Sequence, residues 1–232
     1  MIIDTHCHFD MMPCPEAYIN QVEAEGNISI GMTNLPSHFF QGYDIVKQYK
    51  HVRLALGFHP LLITDNYKEM DLFKRQILQT SYIGEIGLDF SRVGVATKEL
   101  QLEYLREILA VLRGQNKIVS VHSKRAEYEL VHLLSDYNVR NVIFHWYSGS
   151  VDLIPEIIRL GYYFSVNEAM TLSSSGQRII QNIPCDRILT ESDAPYNRRC
   201  SIERALVNIG LNEDVINMNF RKLLNRIRLY EY

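Results

Sequence analysis

Apolar residues gather in eight short clusters along the chain, and between them the spacing changes to a rhythm of three to four residues. The clusters at 2–6, 28–33, 53–58, 82–85, 118–122, 142–145, 162–166 and 188–191 are short, and several are near-continuous in Ile, Val, Leu, Phe or Tyr. Such runs predict strands buried on both faces, as in a parallel sheet. Amphipathic stretches separate them at 15–25, 37–50, 67–79, 98–114, 125–137, 151–160 and 172–182, and helices at 201–209 and 213–229 close the chain. The clearest helix carries Leu102, Leu105, Ile108, Leu109 and Leu112 on one stripe.

Strand and helix alternating eight times predict an α/β fold, a parallel (β/α)8 TIM-type barrel with right-handed crossovers, expected as a single domain over 1–232. A doubly wound open sheet is the competing architecture. No glycine-rich phosphate fingerprint follows the first cluster, which argues against a nucleotide-binding version of it. No repeat, low-complexity tract or linker composition marks a boundary.

Composition narrows the function classes. Hydrophobic residues make up 47% and charged residues 22%, a globular rather than a disordered profile. The net charge of −3 gives no general affinity for polyanions, so a nucleic-acid partner would need local basic residues or metal ions. The four cysteines form no CxxC pair and read as free thiols of a reducing compartment. Cys7 faces away from its histidine neighbours on a strand and is expected in the core. The first strand begins at once, with no room for a secretory leader, and no apolar run approaches the ~18 residues needed to cross a bilayer. A cytoplasmic protein with no membrane partner is expected.

The candidate chemistry lies at the ends of the expected strands, where barrel enzymes collect their functional groups. The first ends in His6-x-His8, with both imidazoles on one face. The third runs into His59-Pro60, the fourth into Glu85 and then Asp89, the fifth ends at His122, the sixth at His145, and the eighth leads through Glu191 to Asp193. His6, His8, Glu85, His122, His145 and Asp193 are more ligands than one ion requires and suit two divalent ions sharing a bridging carboxylate. Asp4 and Asp89 are expected to bond backbone or orient ligand imidazoles. His59 either caps a turn or faces the site.

These segments resemble the TatD family of metal-dependent deoxyribonucleases over nearly the whole chain. The resemblance is carried by Asp4-Thr-His-Cys-His8, Leu56-Gly-Phe-His-Pro60, Ile83-Gly-Glu-Ile-Gly-Leu-Asp89, Val121-His-Ser-Lys124, Phe144-His-Trp-Tyr-Ser-Gly149, Tyr163-Phe-Ser165 and Leu189-Thr-Glu-Ser-Asp-Ala-Pro-Tyr196. It implies a TIM-type barrel with His6, His8 and Asp193 on one ion, His122 and His145 on the other, and Glu85 bridging; the ions would be Mg2+, Mn2+ or Zn2+. Within the family the chain is similar to the QatD-type members of the Qat anti-phage system, through His145-Trp-Tyr-Ser-Gly-Ser150 and Ser120-Val-His-Ser-Lys-Arg-Ala126. Mainstream members carry cysteine after that histidine. The chain also departs from the family after Phe164-Ser165 and in a shortened segment after Asp193, both at the rim of the pocket.

The resemblance implies a DNase acting on single-stranded or free-ended DNA, alongside other Qat defence proteins, with Asp193 and Glu85 catalytic. His59 and Lys124 are expected to hold a phosphate oxygen, Lys124 standing where the family usually has arginine. Arg125, Arg198 and Arg199 are candidates to track a nucleic-acid backbone, and Trp146 and Tyr147 to stack on a base, although solvated charge and loop packing account for them equally well. The alternatives are a metal hydrolase of a small ester, amide or modified nucleotide, and a partner-dependent subunit of a defence complex.

Overall fold

A computed structural model describes residues 1–63 and 67–228. Among them, eight strands alternate with helices: β1 (Ile3–Cys7), β2 (Ile28–Met32), β3 (Val52–Ala55), β4 (Tyr82–Gly87), β5 (Ile118–His122), β6 (Val142–His145), β7 (Tyr163–Val166) and β8 (Ile188–Thr190). Every pairing is parallel, within a sheet β1-β2-β3 and a sheet β4-β5-β6-β7-β8. Two irregular seams join the sheets into the expected barrel. At the first, Leu56 bridges Ile83, with Leu56 N donating to Tyr82 O and Gly84 N to Leu56 O, each at 3.0 Å. At the second, Thr5 Oγ1 donates to Thr190 O at 2.9 Å, and beyond the strand ends Asp193 N donates to His6 O at 2.9 Å.

The helices are α1 (Pro15–Glu25), α2 (Pro36–Val46), α3 (Tyr67–Gln76), α4 (Lys98–Leu112), α5 (Glu127–Asp136), α6 (Ile154–Arg159), α7 (Glu168–Leu172), α8 (Ser174–Gln181), α9 (Ile202–Ile209) and α10 (Glu213–Arg228). The stripe of α4 is buried at all five expected positions, and each such leucine or isoleucine contributes about 1.5–3 kcal/mol when fully withdrawn from water. The expected helix over 172–182 is two helices. Ser173 adopts an extended backbone (φ −98°, ψ 141°) and its hydroxyl accepts from Gly176 N at 3.1 Å, so it stops α7 and caps α8. The helix expected from 125 starts at Glu127, because Arg125 has φ 56° and Ala126 is not yet helical. The expected end at 229 lies outside the described residues.

Glycine controls how closely the strand ends approach. A Cβ on Gly57 would lie 1.7 Å from Thr33 O and 2.6 Å from Glu85 N. Only a bare Cα lets the chain after β3 pass between the ends of β2 and β4. The register of β4 against β5 slips between Ile83 and Ile86, and Glu85 sits in that slip. Among the described residues, no helix is long and apolar enough to cross a membrane.

Candidate metal centre

The C-terminal ends of the strands bring together the six expected residues and His59. His6, carried by β1, is fully buried, and its Nδ1 lies 2.8 Å from Ser120 Oγ, which aims Nε2 at the barrel axis. His8 follows β1 and sets its Nε2 3.3 Å from that of His6. Cys7 between them points into the core, with Sγ 3.1 Å from Ser29 Oγ, as alternation along a strand requires.

Glu85 is the centre of the cluster. Its Oε1 lies 2.7 Å from His122 Nδ1 and 3.1 Å from His145 Nε2. Its Oε2 faces the other way, 3.4 Å from His8 Nε2, 3.7 Å from His6 Nε2 and 3.8 Å from His59 Nε2. Asp193, in the left-handed region at φ 52°, places Oδ1 3.7 Å from His8 Nε2 and 3.8 Å from His6 Nε2. His145 stacks on His6, with ring centroids 3.8 Å apart and planes at 10°. His59 both caps the turn at Pro60–Leu62, accepting from Leu61 N at 3.2 Å through Nδ1, and turns Nε2 to the cluster.

Burial and charge pull against each other here. Burial pushes the Glu85 carboxyl up, but His59, His145 and His122 outweigh it and hold it well below the usual carboxylate range. Burial pushes Asp193 up to about 6. It takes His59 down to about 4, and with the neighbouring His145 it takes His6 well below its ordinary value. His145 goes the other way: Glu191 and Glu85 overcome burial and hold it protonated well above the ordinary imidazole range.

Three overlapping groups of ligand atoms, each within 4.8 Å of one another, can hold an ion: His6, His8 and Asp193; His6, Glu85 and His145; and His59, Glu85 and His122. Imidazole nitrogen and carboxylate oxygen in one buried cluster fit a divalent cation such as zinc or manganese. The first group coincides with the set that the family resemblance implies for one ion. In the third, His59 stands beside His122, where the resemblance implies His145.

The supporting residues divide into those expected and one with no role assigned from sequence. Asp89 Oδ2 lies 2.9 Å from His122 Nε2 and so orients that ring. Asp4 instead accepts from His6 N at 3.2 Å and Ser192 N at 3.0 Å, tying β1 to the segment after β8. Glu191 is the unassigned residue. It is fully buried behind His145, with Oε2 3.4 Å from Nδ1, an ion pair without hydrogen-bond geometry. It also accepts from Ser165 Oγ, and from Asn167 Nδ2 at 2.8 Å. The signal was present: a carboxylate in an apolar strand, two residues before Asp193.

The cluster floors an open cavity of about 840 Å³. Lys124, Asn34, His38, Ser123 and Ser148 share its lining with Met11, Leu61, Leu62, Trp146 and Tyr196. Arg125, Arg198 and Arg199 are exposed and do not line it. The aromatic neighbours also part company. Tyr147 is buried, donating to Ser150 O at 2.7 Å, whereas the half-buried Trp146 faces the cavity.

A profile of the family described as TatD related DNase matches residues 3–217. YabD of Bacillus subtilis strain 168, an uncharacterized metal-dependent hydrolase, is 24% identical over 207 residues, which cover 84% of this chain and 81% of YabD. A human protein named deoxyribonuclease TATDN3 is 31% identical over 138 residues, 58% of this chain and 47% of that protein. The crystal structure of YJJV, a TatD homologue from Escherichia coli K12, superposes with a TM-score of 0.83 at 24% identity, covering 97% of this chain and 95% of YJJV, which shows a shared fold. The profile match, the barrel and the ligand cluster at its strand ends agree, and this chain belongs to the TatD-related DNase family.

Proposed function

We propose that the chain is a dinuclear metal-dependent phosphodiesterase that hydrolyses DNA from an end. One observation carries this reading: the two oxygens of Glu85 face different imidazole sets, His122 and His145 on one side and His6, His8 and His59 on the other. A carboxylate so placed can serve two ions at once. Divalent ions, when bound, acidify water and offset the charge that develops on a phosphate under attack. The protein's own residues do the rest. Asp193, beside His6 and His8 in the cluster, takes the proton released from the attacking water. Lys124 lines the cavity beside the cluster and supplies a point charge to a non-bridging phosphate oxygen, with His59 as its partner in that contact. Because the chain's net charge is −3, productive contact with DNA rests on bound cations and Lys124 rather than on a basic surface.

The family's TATDN3 relative, named a deoxyribonuclease, supports DNA as substrate. A role in anti-phage defence beside Qat proteins is part of the proposal and rests on the sequence likeness around Trp146 and Lys124 alone. A second reading, hydrolysis of a small ester, amide or modified nucleotide, is favoured by the apolar residues among the cavity lining and its single lysine.

The deciding experiment follows end-labelled single- and double-stranded DNA with Mg2+, Mn2+ or chelator, beside Asp193→Ala. Metal-dependent shortening from one end, lost in the variant, is expected. Intact DNA with metal-loaded protein, alongside turnover of small esters, would establish the second reading instead.

A further inference from the structure

The residue after His145 is built against its own backbone preference. Trp146 has φ 37°, in the left-handed region that a bulky side chain rarely enters. Core packing takes up only part of this side chain, which rests against the core and is left partly exposed. The adjacent Tyr147 fills the core, 1% exposed against Phe144 and Phe164, while the indole of Trp146 is left half-buried on the wall of the cavity. Strain retained at a position whose side chain lines a site points to use of that side chain.

The cavity around it is lined by residues of two chemistries. Its floor is the imidazole and carboxylate cluster with Lys124, suited through bound cations to an anion. Its remaining lining includes Trp146, Met11, Leu62 and Tyr196. Tyr196 is 55% exposed, yet it is fixed: its hydroxyl accepts from Asn34 Nδ2 at 3.0 Å and its ring stands edge-on to His8 at 4.9 Å. A cation-binding cluster and an aromatic side chain lining one cavity match a phosphate joined to a flat ring. The volume, about 840 Å³, is that of a small-ligand pocket.

We infer that Trp146 is the stacking platform for the nucleobase of the nucleotide whose phosphate sits over the cluster. This rests on the proposed phosphodiesterase reading and deepens it, since the platform admits one unpaired base. A base held in a duplex offers its face only after unstacking, so single strands and frayed ends become the preferred substrates.

Trp146 is the chain's single tryptophan, so its emission reports on this wall alone. The test titrates metal-loaded protein with thymidine 5′-monophosphate, which has no diester to cut, and with 2-deoxyribose 5-phosphate and butyl phosphate as controls that lack the base. The nucleotide should quench the emission, and by calorimetry bind about tenfold or more tightly than either control. Trp146→Ala should lose that advantage, and Trp146→Phe should retain most of it. Equal binding of nucleotide and butyl phosphate, or undiminished nucleotide binding by a folded Trp146→Ala, overturns the platform while leaving the phosphodiesterase reading intact. Failure of all three phosphates to bind would count against the phosphate site itself, and with it both proposals.

Discussion

Glu191 can be removed in two ways, and the difference between them measures what it does. In Glu191→Ala, Asn167 Nδ2 and Ser165 Oγ lose their acceptor in a fully buried site. Each stranded donor costs about 1–3 kcal/mol, so the pair costs about 2–6 kcal/mol. Asn167 is also the N-cap of α7, accepting from Met170 N at 3.0 Å, so its displacement loosens that helix as well. At about 2–4 °C per kcal/mol for a domain of this size, the melting temperature should fall by on the order of 10 °C. Glu191→Gln keeps one acceptor and the volume, and should cost far less. It removes the negative charge 3.4 Å from His145 Nδ1. Exchanging the imidazole proton for a divalent cation still adds one positive charge beside Glu191, so the loss of the carboxylate weakens metal binding. Partners of metal-bound histidines are typically worth about 10–100-fold in affinity. Titration of both variants with Zn2+ or Mn2+ in a chelator-buffered assay, beside thermal melts, separates the two effects. Parental metal affinity in a folded Glu191→Gln would refute the reasoning, because it would mean that His145 needs no charge behind it.

Two other predictions follow from the geometry. Gly87 has φ 140° and a Cβ there would meet His122 O at 2.0 Å, so Gly87→Ala must shift the end of β5. A cost of about 1–3 kcal/mol or more is expected together with weaker metal binding, and a variant that melts and binds metal like the parent would contradict the packing. Metal binding needs Asp193 ionised, although burial holds its pKa at about 6, and His145 neutral, although Glu191 and Glu85 overcome burial to keep it protonated. Protons therefore compete with the ion: affinity should fall as pH drops from about 8 to about 5, with proton release on binding, read by calorimetry in buffers of different ionisation enthalpy. A flat profile across that range would refute the competition.

The alternation of apolar clusters and amphipathic stretches was enough to predict a parallel α/β fold, because strands covered on both faces need no polar alternation and their helices need only one apolar stripe; closure of the eight strands into a barrel rather than an open sheet was an expectation. His6, His8, Glu85, His122, His145 and Asp193 were legible for the same reason. Each lies at or shortly after the end of an apolar run, and the topology of a barrel sends every strand end to one rim. Boundaries were less legible where a single backbone angle decides them, as at Arg125 and Ser173.

What the tertiary structure alone decided is which of these groups face one another. No spacing in the chain brings His59 to Glu85, stacks His145 on His6, or sets Glu191 behind His145, since those contacts join different strands across the barrel. Nor does sequence separate Trp146 from Tyr147, adjacent residues of similar chemistry. One is turned to the cavity and the other to the core by a backbone angle that is settled only when the loops around it are packed. Local sequence determines period and propensity, which are short-range, whereas the site depends on long-range contacts that exist only once the barrel has closed.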